Sequence, residues 1–307
     1  VSGILILAHT SLPAYSLHLV LPLFSSFIFV LGLLCLKRAS AEGVNPWTTT
    51  FVANLWAAVL FGGLWLGGGP GQPWTQLWQP ATIAALYISG QICTFFALNR
   101  GDVSVATPLF TVKVLLVAVL LTFLAGEPVE AAVWIAAGLA MIGVALIQHG
   151  GGHASRQRLL ITVVYALAAA SSFALFDVLI QRWTPAWGRG RMLPLVFGIA
   201  AILSLTFLPA MDRRGTLTRQ GRLPLILGGC LIAIQAMGIV VTIGTFGDAA
   251  RVNIVYTLRG LWGVVLAWLL AKRFGIPEAS HGGRIMLWRL SGAALLVSAV
   301  AIAIMFG

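Results

Sequence analysis

The chain has 307 residues, 59% of them hydrophobic and only 9% charged, with a mean hydropathy of +0.97. A soluble domain carries about 25% charged residues, so this chain cannot cover a water-facing surface and reads as an integral membrane protein. Its net charge of +11 does not point to nucleic acid, because no basic stripe with interleaved aromatics is present.

Apolar runs of the length a spanning helix needs recur along the whole chain. In order they cover 16–36, 46–66, 77–98, 103–124 and 131–147, then 159–183, 192–208, 223–246, 249–271 and 287–306. The alternating segments of a membrane barrel are absent. No basic segment precedes the first run, whose first positive residue is Lys37, so that run is expected to act as its own insertion signal. Lys37-Arg38 closes the first run and the GGGPG turn at 67–71 closes the second. Between the fifth and sixth lies HGGGHASRQR, 149–158, read as a flexible linker. His149 and His153 have the spacing of metal ligands on a helix, but three glycines separate them and no acid is near, so no metal is expected. The cysteines Cys35, Cys93 and Cys230 are isolated and read as packing residues.

Five runs on each side of a linker suggest an internal repeat. At a constant offset of 146, Ser25-Ser26-Phe27 recurs as Ser171-Ser172-Phe173, and Phe51 and Phe61 recur as Phe197 and Phe207. GDVSVATPLFTVKVLLVAVL (101–120) lies over GDAARVNIVYTLRGLWGVVL (247–266), so that Phe110 matches Tyr256, Thr111 matches Thr257 and Lys113 matches Arg259. Farther on the offset grows to 154, where Trp134 and Gly138 match Trp288 and Gly292. An odd number of spans per half inverts the second half. The expected fold is therefore all-α and membrane-embedded, with ten transmembrane helices in two inverted five-helix repeats, 1–148 and 159–307, around the linker.

On these features the chain resembles the drug/metabolite transporter superfamily in its ten-span EamA-like form. The resemblance rests on the five-plus-five plan, the small-residue entry SVATPLF, the turn AGEPVE at 125–130 and the glycine-rich helix GLAMIGVALI at 138–147. The second half keeps the Gly-Asp entry but replaces the short turn by AKRFGIPEASHGGRIML, 271–287. In the phosphate- and sugar-phosphate-carrying branches, basic residues on the fourth and ninth spans bind the substrate's anionic group. The resemblance would give that role to Lys113 and Arg259.

Both cations fall near the middle of their runs, about 15 Å from either surface at 1.5 Å per residue. Snorkelling covers only part of that distance, and a charge at a helix centre costs from ~3 to above ~10 kcal/mol. Two such residues at matching positions are expected to be functional. The competing reading is that each pairs with an acid and fixes packing, and only Asp177 lies at membrane depth to do so. Asp177 is a candidate counter-ion to Arg259 or a proton-coupling carboxylate, or else lies merely near the helix end by Gln181 and Arg182. Neighbours at helical spacing supply further lining candidates: Phe110 beside Lys113, and Tyr256 and Trp262 beside Arg259, with Asn253 and Thr257 on an adjacent strip. Pro108 is expected to kink the fourth span. Gln91, Thr94, Asn99 and Gln235 are buried polar groups that must find partners, in a wet cavity or across a helix interface. Trp56, Trp65 and Trp78 suit interfacial anchoring. Gly63 and Gly67 suit a close helix contact.

The expected function is secondary transport, by alternating access, of a small organic solute bearing a carboxylate or phosphate. A coupling proton or counter-substrate is an open partner, and the protein is expected as a monomer or homodimer in a bacterial cytoplasmic membrane. A lipid-linked flippase and a non-transporting scaffold are the alternatives. No Walker loop, nucleophile elbow or paired acids appear, so neither an enzyme nor a cofactor is indicated. Alternate loops hold 13 Lys/Arg on one side and 4 on the other, which puts both termini outside the cytoplasm. The superfamily resemblance implies both termini inside.

Overall fold

The structure, a computed structural model, describes residues 17–100, 103–126, 128–147, 156–211, 219–263, 265–266 and 283–306. Its elements are α1 (Val20–Ala41), α2 (Pro46–Gly62), α3 (Trp78–Arg100), α4 (Val103–Leu120), α5 (Ala131–Ile147), α6 (Arg156–Trp187), α7 (Arg189–Ser204), α8 (Arg219–Phe246), α9 (Ala249–Tyr256) and α10 (Gly283–Met305), with short 3₁₀ segments between some of them. There is no strand among the described residues. Membranes favour this outcome because the backbone must satisfy its own hydrogen bonds where no water is available. Large apolar side chains such as Phe24, Val59, Phe123, Val164, Ile202 and Leu223 are exposed, as lipid-facing residues are.

Among the described residues, six helical segments are long and apolar enough to cross a membrane: Val20–Ala41, Pro46–Gly67, Trp74–Leu98, Leu159–Trp187, Arg189–Ala210 and Gln220–Phe246. Leu109–Ala125, Ala131–Ile147 and Leu290–Met305 are apolar but shorter. Most of the 149–158 linker, Gly101-Asp102, Glu127 and nearly all of the 271–287 segment lie outside the described residues.

Local chemistry explains several ends. Asn45 accepts a hydrogen bond from the Trp47 N–H at 2.8 Å, and Pro46 occupies the first position of α2. α4 continues through position 108 and widens into a π turn at Leu121–Ala125, where Gly126 takes a left-handed φ of 70° and stops the helix. α6 is longer than expected, reaching Trp187 with Pro185 inside its last turn.

The ninth span departs most from the expectation of one continuous helix. α9 ends at Tyr256; the N–H groups of Thr257, Leu258 and Gly260 then donate to carbonyls three residues back, at 3.0–3.1 Å, before helix resumes over 259–263. This tightening is 3₁₀-like. It falls immediately before Arg259.

Among the packed pairs, α1–α8 and α3–α6, α2–α8 and α3–α7, α4–α6 and α1–α9, and α4–α5 and α9–α10 become each other when each helix is exchanged for the one five places away, whereas α6–α8 has no counterpart of similar extent. The contacts α2–α7 and α5–α10 map onto themselves. Phe61 stacks on Phe197 across α2–α7, ring centroids 3.7 Å apart.

The close contact expected at Gly63 and Gly67 does not occur, because neither has a neighbour within 4 Å of a Cβ position. The close crossing is α5 on α10. A Cβ on Gly292 would sit 2.5 Å from the Gly143 carbonyl oxygen and 2.9 Å from the Ile147 nitrogen. Gly292→Val should therefore lower stability by about 1–3 kcal/mol through overpacking. Gly138→Ala, where nothing lies within 4 Å, should cost nothing. Thermal unfolding of the two purified variants in detergent reads the difference.

Candidate functional site

Small residues bring the site's helices together: Ala97, Ala106 and Ala166 meet where α3, α4 and α6 converge. Further along the same helices, Lys113 Nζ of α4 lies 2.7 Å from Asp177 Oδ2 of α6. The carboxylate is almost wholly buried and the lysine side chain is 20% exposed. Lys113 also stands 5.9 Å from the Phe173 ring centroid. The tip of that ring abuts α3 at Gly90, where a Cβ would come 2.8 Å from Phe173 Cζ.

Asp177 therefore pairs with Lys113, and the expectation of a counter-ion for Arg259 is corrected. The reason is reach: α6 packs along α4 more extensively than along α9. Asp177 Oδ2 also accepts from Asn253 Nδ2 of α9 at 2.6 Å, and the same amide donates to the Ala249 carbonyl at 2.8 Å. One turn along α6, Gln181 Oε1 accepts the Ala249 N–H at 2.8 Å. Residues 177 and 181 on α6 thus form two rungs with 253 and 249 on α9.

Arg259 sits differently. Its guanidinium carbon is 4.5 Å from the Tyr256 ring centroid and 5.1 Å from that of Phe29 on α1. These are cation–π contacts, which suit a guanidinium in a dry setting. Among the described residues no carboxylate lies within salt-bridge distance of it. Tyr256 donates to Gln235 Oε1 on α8 at 2.7 Å. Asn253 and Tyr256 are three apart on α9 and share a face, with Asp177 held at Asn253 and Arg259 set against Tyr256.

The other expected site residues are dispersed. Gln91 exchanges both amide hydrogen bonds with Asn54 of α2, at 2.9 and 3.0 Å. Thr257 donates back to the Ile254 carbonyl at 2.6 Å. Trp262 donates to Ser26 Oγ at 3.0 Å and meets the Phe27 ring edge-on. Phe110 packs with Tyr165 in the satellite cluster of α3, α4 and α6. Thr94 bonds its own helix at Gly90, and the side chains of Asn99 and Pro108 lie outside the described residues. Trp65 and Trp78 are exposed as interfacial residues would be, while Trp56 is partly buried against the core.

Sequence reading missed Phe29, Phe173 and Asn54. The two rings carry no signal in an apolar run, but Asn54, an amide in the second span, was legible as a group needing a partner. It also missed a rim cluster. A cavity of about 520 Å³ opens where α1 begins and α8 meets α9, lined in part by His18, Glu130, Gln181, Asp248 and Arg251. Asp248 caps α9 and holds Arg251 Nε at 2.7 Å and His18 Nε2 at 2.9 Å. Gln181 lies at once on this cavity and on the outer rung of the α6–α9 ladder.

Comparison with known proteins follows this geometry. Residues 16–148 match the model of the EamA-like transporter family. For the first half of the chain this bears out the resemblance to an EamA-like transporter carried by SVATPLF and the 125–147 segment. A solved crystal structure, titled only as that of a protein, shares the fold with a TM-score of 0.70 at 18% identity, covering 96% of this chain and all of that one. No curated protein matches the chain.

The buried pair makes a prediction about stability. Asp177→Ala strands the Lys113 ammonium and should cost about 3–5 kcal/mol. Combining Asp177→Leu with Lys113→Met should recover most of that loss. Melting temperatures of the single and double variants in one detergent give the comparison.

Proposed function

Proceeding from the EamA-like match of the first half, we propose that this protein is a secondary transporter of a small organic anion, working by alternating access. It is built as two five-helix repeats, 1–148 and 159–307, joined by the 149–158 linker, in a bacterial cytoplasmic membrane. The exchange-related helix pairs described above support the repeat reading, since inverted repeats meeting at a pseudo-two-fold axis would pack in such sets.

The observation that carries the anionic reading is Arg259. It stands near mid-span, stacked on Phe29 and Tyr256, with no carboxylate partner among the described residues. Intramembrane cations are rare and face cavities or partners. A guanidinium set against two rings keeps its positive charge, and its five N–H donors suit a planar carboxylate or a phosphate. Lys113 differs from the symmetric clamp expected of it, because Asp177 already compensates its charge. It forms one neutral wall of the site, and Arg259 anchors the anion.

The scaffold alternative draws on the Lys113–Asp177 pair, which fixes α4 against α6. It leaves Arg259 without a role. The break between Tyr256 and the 259–263 turn supports movement at this point, since interrupted helices frame substrate sites in several transporter folds.

Proteoliposome uptake with a panel of carboxylates, phosphates, amines and neutral sugars tests the proposal. Arg259→Ala should reduce anion uptake about 10- to 100-fold, the worth of a charge-assisted hydrogen bond at ~1.5–3 kcal/mol. Its melting temperature should stay close to that of the unmodified protein. Arg259→Lys should retain part of the activity at lower affinity. Transport of an amine or neutral sugar that no anion inhibits would refute the anionic reading.

A further inference from the structure

We infer that the transported solute carries a single negative charge at the site, and that Asp177 sets this valence. The inference rests on the anionic reading above and deepens it. Three ionisable side chains at membrane depth are tied to one face of α9: Asp177 at Asn253, Lys113 through Asp177, and Arg259 at Tyr256. Lys113 and Asp177 are in direct contact at 2.7 Å and neutralise one another. Arg259 is left as one uncompensated cation among the described residues.

A monoanion bound to Arg259 brings the site to zero net charge. A dianion leaves one negative charge that nothing compensates, in surroundings where an unpaired ion is heavily penalised. It could share the Lys113 ammonium, which has three donors, but the charge of that lysine is already cancelled by Asp177, so one negative charge would stay over. Asp177 has no room to turn outward, being 1% exposed and held from the other side by Asn253 at 2.6 Å.

The repeat makes the asymmetry plain. Lys113 and Arg259 occupy matching positions, but the position matching Asp177 in the first half is Leu31. Two symmetric cations would suit a dianion. One carboxylate on one side converts the pair into a monoanion site. Asp177 is thus a specificity-determining residue that acts through Lys113.

The experiment is a binding comparison on the purified protein, read as ligand-dependent thermal stabilisation, with butyrate, succinate and butyramide as size-matched probes and methyl sulfate and sulfate as a second set. Wild type should favour the monocarboxylate over the dicarboxylate by at least about tenfold in apparent affinity. Asp177→Asn raises the net positive charge by one and should extend binding to succinate and sulfate. Should that variant fail to fold, Lys113→Met with Asp177→Leu decides: it keeps the charge of the wild-type site and should keep the preference for one charge. Equal stabilisation of wild type by mono- and dianions, or loss of the monoanion effect in the double variant, would overturn the valence rule while leaving the anionic reading in place. Stabilisation by butyramide alone, with no effect of any anion, would overturn the anionic reading itself.

Discussion

A charge inside a hydrocarbon layer must be compensated where it stands, because neither solvent nor counter-ions reach it. This constraint organises the interior of the protein. Lys113 meets it with a carboxylate on α6, Arg259 with two aromatic faces from α1 and α9. The two solutions differ in what they leave over. An ion pair closes on itself, whereas a guanidinium set against two rings keeps its positive charge. The helices that supply these partners are the ones that exchange between the two halves of the chain.

The surrounding polar groups follow the same logic with smaller stakes. Asn253 uses one amide to hold Asp177 and the Ala249 carbonyl, so the carboxylate is tied to α9 as well as to α4. Gln181 repeats that tie one turn toward the rim cavity, where it takes the Ala249 N–H. Asn54 and Gln91 satisfy each other and so tie α2 to α3. Each buried amide left unpaired would cost ~1–3 kcal/mol, which makes these pairings determinants of which helices can slide and which cannot. The interruption after Tyr256 falls beside Arg259, which has no carboxylate within salt-bridge distance among the described residues.

Much of the fold was legible because membrane insertion is governed by local composition. Apolar runs located the helices to within a few residues, and the offset of 146 aligned Lys113 with Arg259. Where the reading failed, the cause was an interaction invisible at short range. Gly63 and Gly67 have the right spacing for a helix contact, yet the crossing is at Gly143 and Gly292, since spacing does not say which helix comes near. The ninth span is apolar throughout and looks continuous; its tightening depends on hydrogen bonds made by Thr257, Leu258 and Gly260. Phe110 mirrors Tyr256 in the repeat but packs in a satellite cluster with Tyr165.

The sequence by itself determined the membrane class, the helical content and the depth of the two cations, because hydropathy and helical rise are properties of neighbouring residues. Tertiary structure alone decided how each cation is compensated. Asp177 is 64 residues from Lys113 and 82 from Arg259 in the chain, and Phe29 is 230 from Arg259. Electrostatic compensation depends on distance in space, and only the packing of α6 on α4, and of α1 on α9, turned two equivalent charges into one ion pair and one cation set against two rings.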